Sequence, residues 1–117
     1  MNTIIVPTDF SKNAENALTF AIAIAKKNES KIVVVHTNHY DMAASTIPPE
    51  LEAQQFIQLQ KITKDKLEAI QKEVISKGVE CKTAIEIGPL NDVLDEIATR
   101  KRAKLIVMGT QGASGLQ

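Results

Sequence analysis

The chain has no tryptophan and only four aromatic residues, Phe10, Phe20, Tyr40 and Phe56. Platforms on which bases could stack are therefore scarce. It has no excess of either charge, since 14 basic side chains meet 14 acidic ones, so no basic face for nucleic acid is indicated. Its single cysteine, Cys81, excludes an internal disulfide. No apolar run approaches the length of a membrane span. The N-terminus, Met1 to Pro7, lacks the basic region, the longer apolar stretch and the cleavage site of a signal peptide. These absences point to a cytoplasmic protein without nucleic-acid or membrane partners.

What remains has the make-up of one globular domain spanning residues 1–117, with 44% apolar and 24% charged residues. Ile4-Ile5-Val6 is a short β-branched run ended by Pro7 and reads as a buried first strand. Ser11 is a suitable N-cap. Beyond it Ala14, Ala17, Leu18, Ala21, Ile22 and Ala25 recur at helical spacing, which predicts an amphipathic helix over 12–28 with small residues facing a sheet. Lys31 to Thr37 is a second strand, apolar without a break at its centre, as in a parallel sheet covered on both faces.

Pro48-Pro49 precedes a long helix from about Glu50 to Lys77, with Phe56, Leu59, Thr63, Leu67, Ile70 and Val74 on one face and Gly78 as its stop. Val79 to Ile87 alternates apolar and charged positions, the pattern of a third strand near an edge. Gly88-Pro89 opens a third helix with Pro89 at its first position and Leu90, Val93, Leu94, Ile97 and Ala98 as its buried stripe. Lys104 to Met108 is the fourth strand. Alternating strands and helices predict an α/β fold with parallel strands and right-handed crossovers. The fourth strand is apolar at Leu105, Ile106, Val107 and Met108, as interior strands are. It therefore sits between two earlier strands, or takes a neighbour that this sequence does not supply.

The fourth strand runs into Gly109-Thr110-Gln111-Gly112-Ala113-Ser114-Gly115. Loops leaving the carboxyl ends of parallel strands are ligand positions. Glycines there let backbone N–H groups surround a phosphate, with Thr110, Gln111 and Ser114 as further donors. The ordinary alternative is a tight turn into solvent. No Lys-Ser or Lys-Thr pair follows, so this is not a Walker A loop. Its place after the last strand differs from that of a dinucleotide fingerprint.

Four stretches, in order, resemble the universal stress protein family: Ile5-Val6-Pro7-Thr8-Asp9-Phe10-Ser11, Val34-Val35-His36-Thr37, Gly88-Pro89, and Met108 to Leu116. The resemblance implies a Rossmann-like open parallel sheet of the adenine nucleotide alpha hydrolase type, with helices on both faces and strand order 3-2-1-4-5. Four of those five strands are present, so the order expected here is 3-2-1-4. It also implies dimerisation, often through the fifth strand, and in many members ATP bound between the first and fourth strands. Gly109 and Gly112 match the first half of the family's nucleotide motif, and the second half would fall beyond Gln117. The chain is thus expected to be a universal stress domain lacking its C-terminal part, from a single or tandem parent.

On this resemblance Asp9 hydrogen-bonds the adenine or ribose of a nucleotide. Pro7 and Thr8 line the same pocket, Thr37 forms a wall through its backbone, Met108 belongs to the same nucleotide site, and Gly109, Gln111, Gly112, Ser114 and Gly115 serve the phosphates. Read without the family, Asp9 is a turn or capping aspartate. His36, His39 and Asp41 could be read as a metal set, but their spacing is no recognised ligand pattern, and a packed His36 with a solvated His39 is the simpler reading. Cys81 reads as a small core residue. No nucleophile–base constellation is visible.

Three functions follow from these residues. The first is a regulatory, non-catalytic domain in stress response that binds ATP or a related adenine nucleotide, with Mg optional. The second is a nucleotide-free dimerisation or interaction module. The third is a weak ATPase in which Asp9 would work with magnesium.

Overall fold

A computed structural model describes residues 2–38 and 47–109. Seven elements alternate: β1 (Thr3–Pro7), α1 (Lys12–Asn28), β2 (Lys31–Asn38), α2 (Pro49–Ser76), β3 (Cys81–Ile87), α3 (Leu90–Lys101) and β4 (Leu105–Ile106). The strands form one parallel sheet in the order β3-β2-β1-β4, as the family resemblance implies. β1 pairs with β2 from Thr3↔Lys31 to Pro7↔Val35, and with β4 through Ile4↔Leu105 and Ile5↔Ile106.

Side chains alternate across the sheet, and this divides the core. Ile4, Val6, Ile32 and Val34 pack under Leu18, Ala21 and Ile22 of α1 and Leu67 and Val74 of α2. Ile5, Val33 and Val35 point the other way, onto Val93, Leu94 and Ile97 of α3. All five residues of β1 are buried.

The helices start and stop for local reasons. The Ser11 hydroxyl accepts the Ala14 N–H at 3.2 Å and caps α1. Ala14, Ala17, Ala21 and Ala25 are buried, and their short side chains bring α1 close to the strands. Pro49 occupies the first turn of α2, where its missing N–H costs nothing, and Glu50 and Glu52 complement the positive end of the dipole. Gly78, at φ 89°, turns the chain out of α2 toward β3. Pro89 is the N-cap of α3, one position before the place the sequence suggested.

One expectation is corrected. The stripe proposed along α2 is buried at Thr63, Leu67 and Val74, whereas Leu59 is exposed and Phe56 half-buried. At 1.5 Å per residue α2 is about 42 Å long, whereas the eight residues of β2 span about 26 Å. The helix therefore outruns the sheet that could cover it. Of the two places left open for the apolar fourth strand, the structure gives the one without a second neighbour among the described residues, as the order 3-2-1-4 implies. β4 lies at the sheet edge opposite β3, and Leu105 and Ile106 are 40% and 38% exposed. Two further bonds, Lys104 N–H to the Thr3 carbonyl and Val107 N–H to the Ile5 carbonyl, tie its flanks to β1.

Replacing Leu67, fully buried between α2 and the sheet, with alanine is expected to cost about 2–5 kcal/mol. Ile57→Ala, on the exposed part of the same helix, should stay within about 0.5 kcal/mol. Urea unfolding of both variants checks this, and equal losses would contradict the packing described.

Candidate functional site

α1 and α2 cover one face of the sheet and α3 the other. The chain therefore leaves β1 over one face, through α1, and enters β4 from the other, through α3. At such a reversal a crevice opens beyond the carboxyl ends of the two strands. A cleft of about 110 Å³ lies there, lined by Pro7, Thr8, Asp9, Ala14, Val35, His36, Thr37, Leu90, Met108 and Gly109. One water needs about 10–15 Å³, so the cleft has room for a larger group.

Six of the residues singled out from the sequence meet in this cleft: Pro7, Thr8, Asp9, Thr37, Met108 and Gly109. Gln111, Gly112, Ser114 and Gly115 lie outside the described residues. The sequence reading did not assign Ala14, Val35, His36 or Leu90 to the site. Ala14 and Leu90 belong to helices whose apolar spacing pointed only to the core. Val35 was read as one more residue of an apolar strand. His36 ends the same apolar run, and its polarity at a strand's carboxyl end was the available signal.

The turn from β1 to α1 is cross-braced. Thr8 N–H donates to the Val35 carbonyl at 2.8 Å. The Phe10 N–H donates to Thr8 Oγ1, and the Ser11 N–H to Asp9 Oδ1, each at 3.0 Å. The turn reading of Asp9 is thus part of the geometry, while Ser11 supplies the helix cap. Asp9 remains exposed at the cleft. Its carboxyl is held below the ordinary aspartate value of 3.8, chiefly by the Ser11 hydroxyl, then by the Ser11 N–H and Asp9's own backbone, with the His36 charge as the smallest contribution. Partial desolvation opposes these. Asp9 is therefore an ionised acceptor, and a carboxylate has lone pairs beyond the one used in the turn.

Phe10 sits at φ 64°, a left-handed conformation that a bulky side chain rarely adopts. Its ring stacks on His36 with centroids 4.8 Å apart, and Lys66 Nζ lies 5.1 Å from the ring centre. Gly109 closes the other side. A Cβ built there would stand within 3.0 Å of three atoms of Asn13, two of them backbone. Only glycine lets the end of β4 approach the first turn of α1 this closely.

Among the described residues no group of three His, Cys, Asp or Glu side chains could hold a metal ion. The metal set read from the sequence is not tested by this, because His39 and Asp41 lie outside the described residues. Cys81 is buried, and desolvation pushes its thiol up to about 11. Among the described residues no helix is long and apolar enough to cross a membrane.

Gly109→Ala is expected to cost about 1–3 kcal/mol, because α1 and the end of β4 must separate to admit the methyl group. The amide resonances of Asn13 and Asp9 should shift with it. Unchanged melting and unchanged Asn13 resonances would contradict the close approach.

Comparison with known proteins adds family to geometry. The profile of the Universal stress protein family matches residues 1–117. Universal stress protein MJ0531 of Methanocaldococcus jannaschii is 31% identical over 117 residues, covering 97% of this chain and 67% of the relative. Universal stress protein Sll1388 of Synechocystis is 27% identical over 124 residues, covering 97% of this chain and 80% of the relative. The solved structure of MJ0577 from M. jannaschii superposes with a TM-score of 0.77 at 28% identity, over 92% of this chain and 73% of that one.

Two more distant structures hold nucleotides. A universal stress protein in complex with cAMP matches at TM-score 0.61 and 20% identity, over 90% of this chain and 69% of that one. An Arabidopsis thaliana family member with AMP bound, At3g01520, matches at 0.64 and 21%, over 96% and 78%. At these identities the likeness is one of fold. The family profile and the M. jannaschii and Synechocystis sequences together show that the chain belongs to the universal stress protein family.

Proposed function

We propose that the cleft between β1 and β4 binds ATP or a related adenine nucleotide in a regulatory, non-catalytic role. The observation that carries this reading is the meeting of Pro7, Thr8, Asp9, Thr37, Met108 and Gly109 at the point where the strand order reverses. The fit is chemical as well as positional. Pro7, Ala14, Val35, Leu90 and Met108 offer apolar walls to a flat ring. The Asp9 carboxylate accepts from an exocyclic amine or a ribose hydroxyl, and would repel phosphate. Phosphates would then lie away from Asp9, toward the loop that begins at Gly109.

No Lys or Arg is among the described residues lining the cleft. Phosphate charge would be met there by backbone N–H groups, for which Gly109, Gln111, Gly112, Ser114 and Gly115 are suited. Magnesium, if it accompanies the nucleotide, would neutralise the phosphate oxygens. The relatives that hold cAMP and AMP support the reading at the level of a shared fold. A cytoplasmic setting agrees with a lone, buried, protonated Cys81.

A second reading, an interaction module acting as a homodimer or with a tandem partner, has its own support. β4 pairs on one side only among the described residues, and Leu105, Ile106, Met108 and Phe20 are exposed around it. An apolar edge of this kind invites pairing with another strand.

Calorimetry with ATP and AMP tests the first reading. Asp9→Ala should weaken binding by about ten- to a hundredfold, the worth of a charge-assisted hydrogen bond. Because folding depresses the Asp9 pKa, the ionised group stabilises the fold fully above the unfolded value near 3.8. That contribution is lost as pH falls through the lower folded value. Affinity should accordingly be flat across the neutral range and fall only in acid. Binding that ignores Asp9→Ala, or the absence of any heat from the wild type, would overturn the reading.

A further inference from the structure

His36 lines the cleft, yet both its ring nitrogens point into bonds that hold the protein together. Nδ1 lies 2.8 Å from the Thr8 carbonyl oxygen. A carbonyl only accepts, so Nδ1 carries the proton in this contact. Nε2 lies 3.1 Å from the Asn38 amide, which lies 3.2 Å from the Gln60 amide on α2; with the proton on Nδ1, Nε2 accepts, so Asn38 presents its NH2 to the ring and its oxygen to the Gln60 NH2. A chain of side chains thus runs from the β1–α1 turn, through the end of β2, to the long helix.

The turn needs this support. Phe10 at φ 64° is strained by an amount on the order of 1–2 kcal/mol. The flat face it leans on is the His36 ring. The same imidazole therefore fixes the carbonyl just before Asp9 and the side chain just after it. Loss of both contacts would leave Phe10 held only by the Thr8 hydroxyl and Lys66, and the Asp9 carboxylate, tied to Ser11 within the same turn, would follow any shift of Phe10.

We propose that His36 is a positioning residue of the cleft: its Nδ1–H bond to Thr8 and its stack on Phe10 set where the Asp9 carboxylate stands, and Asn38 and Gln60 anchor the ring to α2. The ligand part of this inference rests on the adenine-nucleotide reading, while the geometric part does not.

The test uses the 117-residue chain and three readouts. Long-range proton–nitrogen NMR of the nucleotide-free protein should show His36 protonated at Nδ1, and a neutral ring protonated only at Nε2 would overturn the proposal. Carbon NMR of the Asp9 carboxyl should show its titration moving up toward the ordinary value in His36→Leu and moving back in His36→Asn, whose amide donates from close to the Nδ1 position. An Asp9 titration unaffected by His36→Leu would overturn it as well.

AMP affinity by calorimetry should drop about tenfold in His36→Leu and recover to within about threefold in His36→Asn, as expected for one lost and restored hydrogen bond. A loss that His36→Asn does not recover would assign His36 to packing alone and overturn the positioning role. If the wild type binds no AMP, the nucleotide reading fails, and the first two readouts still decide whether His36 sets Asp9.

Discussion

The site depends on a single topological constraint: β1 has neighbours on both sides, reached by crossovers over opposite faces of the sheet. α1 carries the chain from β1 to β2 over one face, and α3 carries it from β3 to β4 over the other. Among the described residues the carboxyl ends of β1 and β4 border the cleft, at the point where the strand order reverses. The apolar burial that fixes this arrangement is ordinary core packing. Ile4 and Val6 face one set of helices and Ile5 the other, so β1 cannot shift register by one residue without inverting both cores.

Within that frame two close contacts shape the cleft. Gly109 allows the end of β4 to pass against the Asn13 backbone. Pro7 ends β1, and the chain then turns through Phe10 in the left-handed region before Ser11 caps α1. Strain of this type persists only where the surroundings over-determine it. Here the His36 ring, the Thr8 hydroxyl and the Lys66 ammonium all act on Phe10. Asp9 is thereby offered to the cleft as an ionised acceptor in a turn of defined shape.

Much of this was legible in the sequence. The buried alanines of α1 at helical spacing, the unbroken apolar centre of β2 and the alternation of β3 each named their element. Ser11, Gly78 and the Gly88-Pro89 pair marked where helices begin and end. Asp9 and Gly109 were found by their position after strands and by likeness to a family. What could not be read was set by tertiary context. The apolar run Leu105 to Met108 left two places open for β4, and only the family's strand order chose the edge beside β1. Leu59 continues a helical stripe that has no sheet beneath it. The positive φ of Phe10 has no signal in a residue type that avoids it. The role of His36 required Thr8 and Phe10, both distant in sequence, and Asn38 on its own strand, whose amide reaches Gln60 on α2.

The most direct test is an amide-shift footprint: ATP titrated into nitrogen-15-labelled protein at neutral pH. The expected result is a saturable set of shifts centred on Thr8, Asp9, Thr37 and Gly109, with the surface of α2 around Lys61 and Glu68 unchanged. Saturating ATP that leaves those four amides in place, or that moves only residues remote from the β1–β4 cleft, would contradict a nucleotide site at the strand-order reversal.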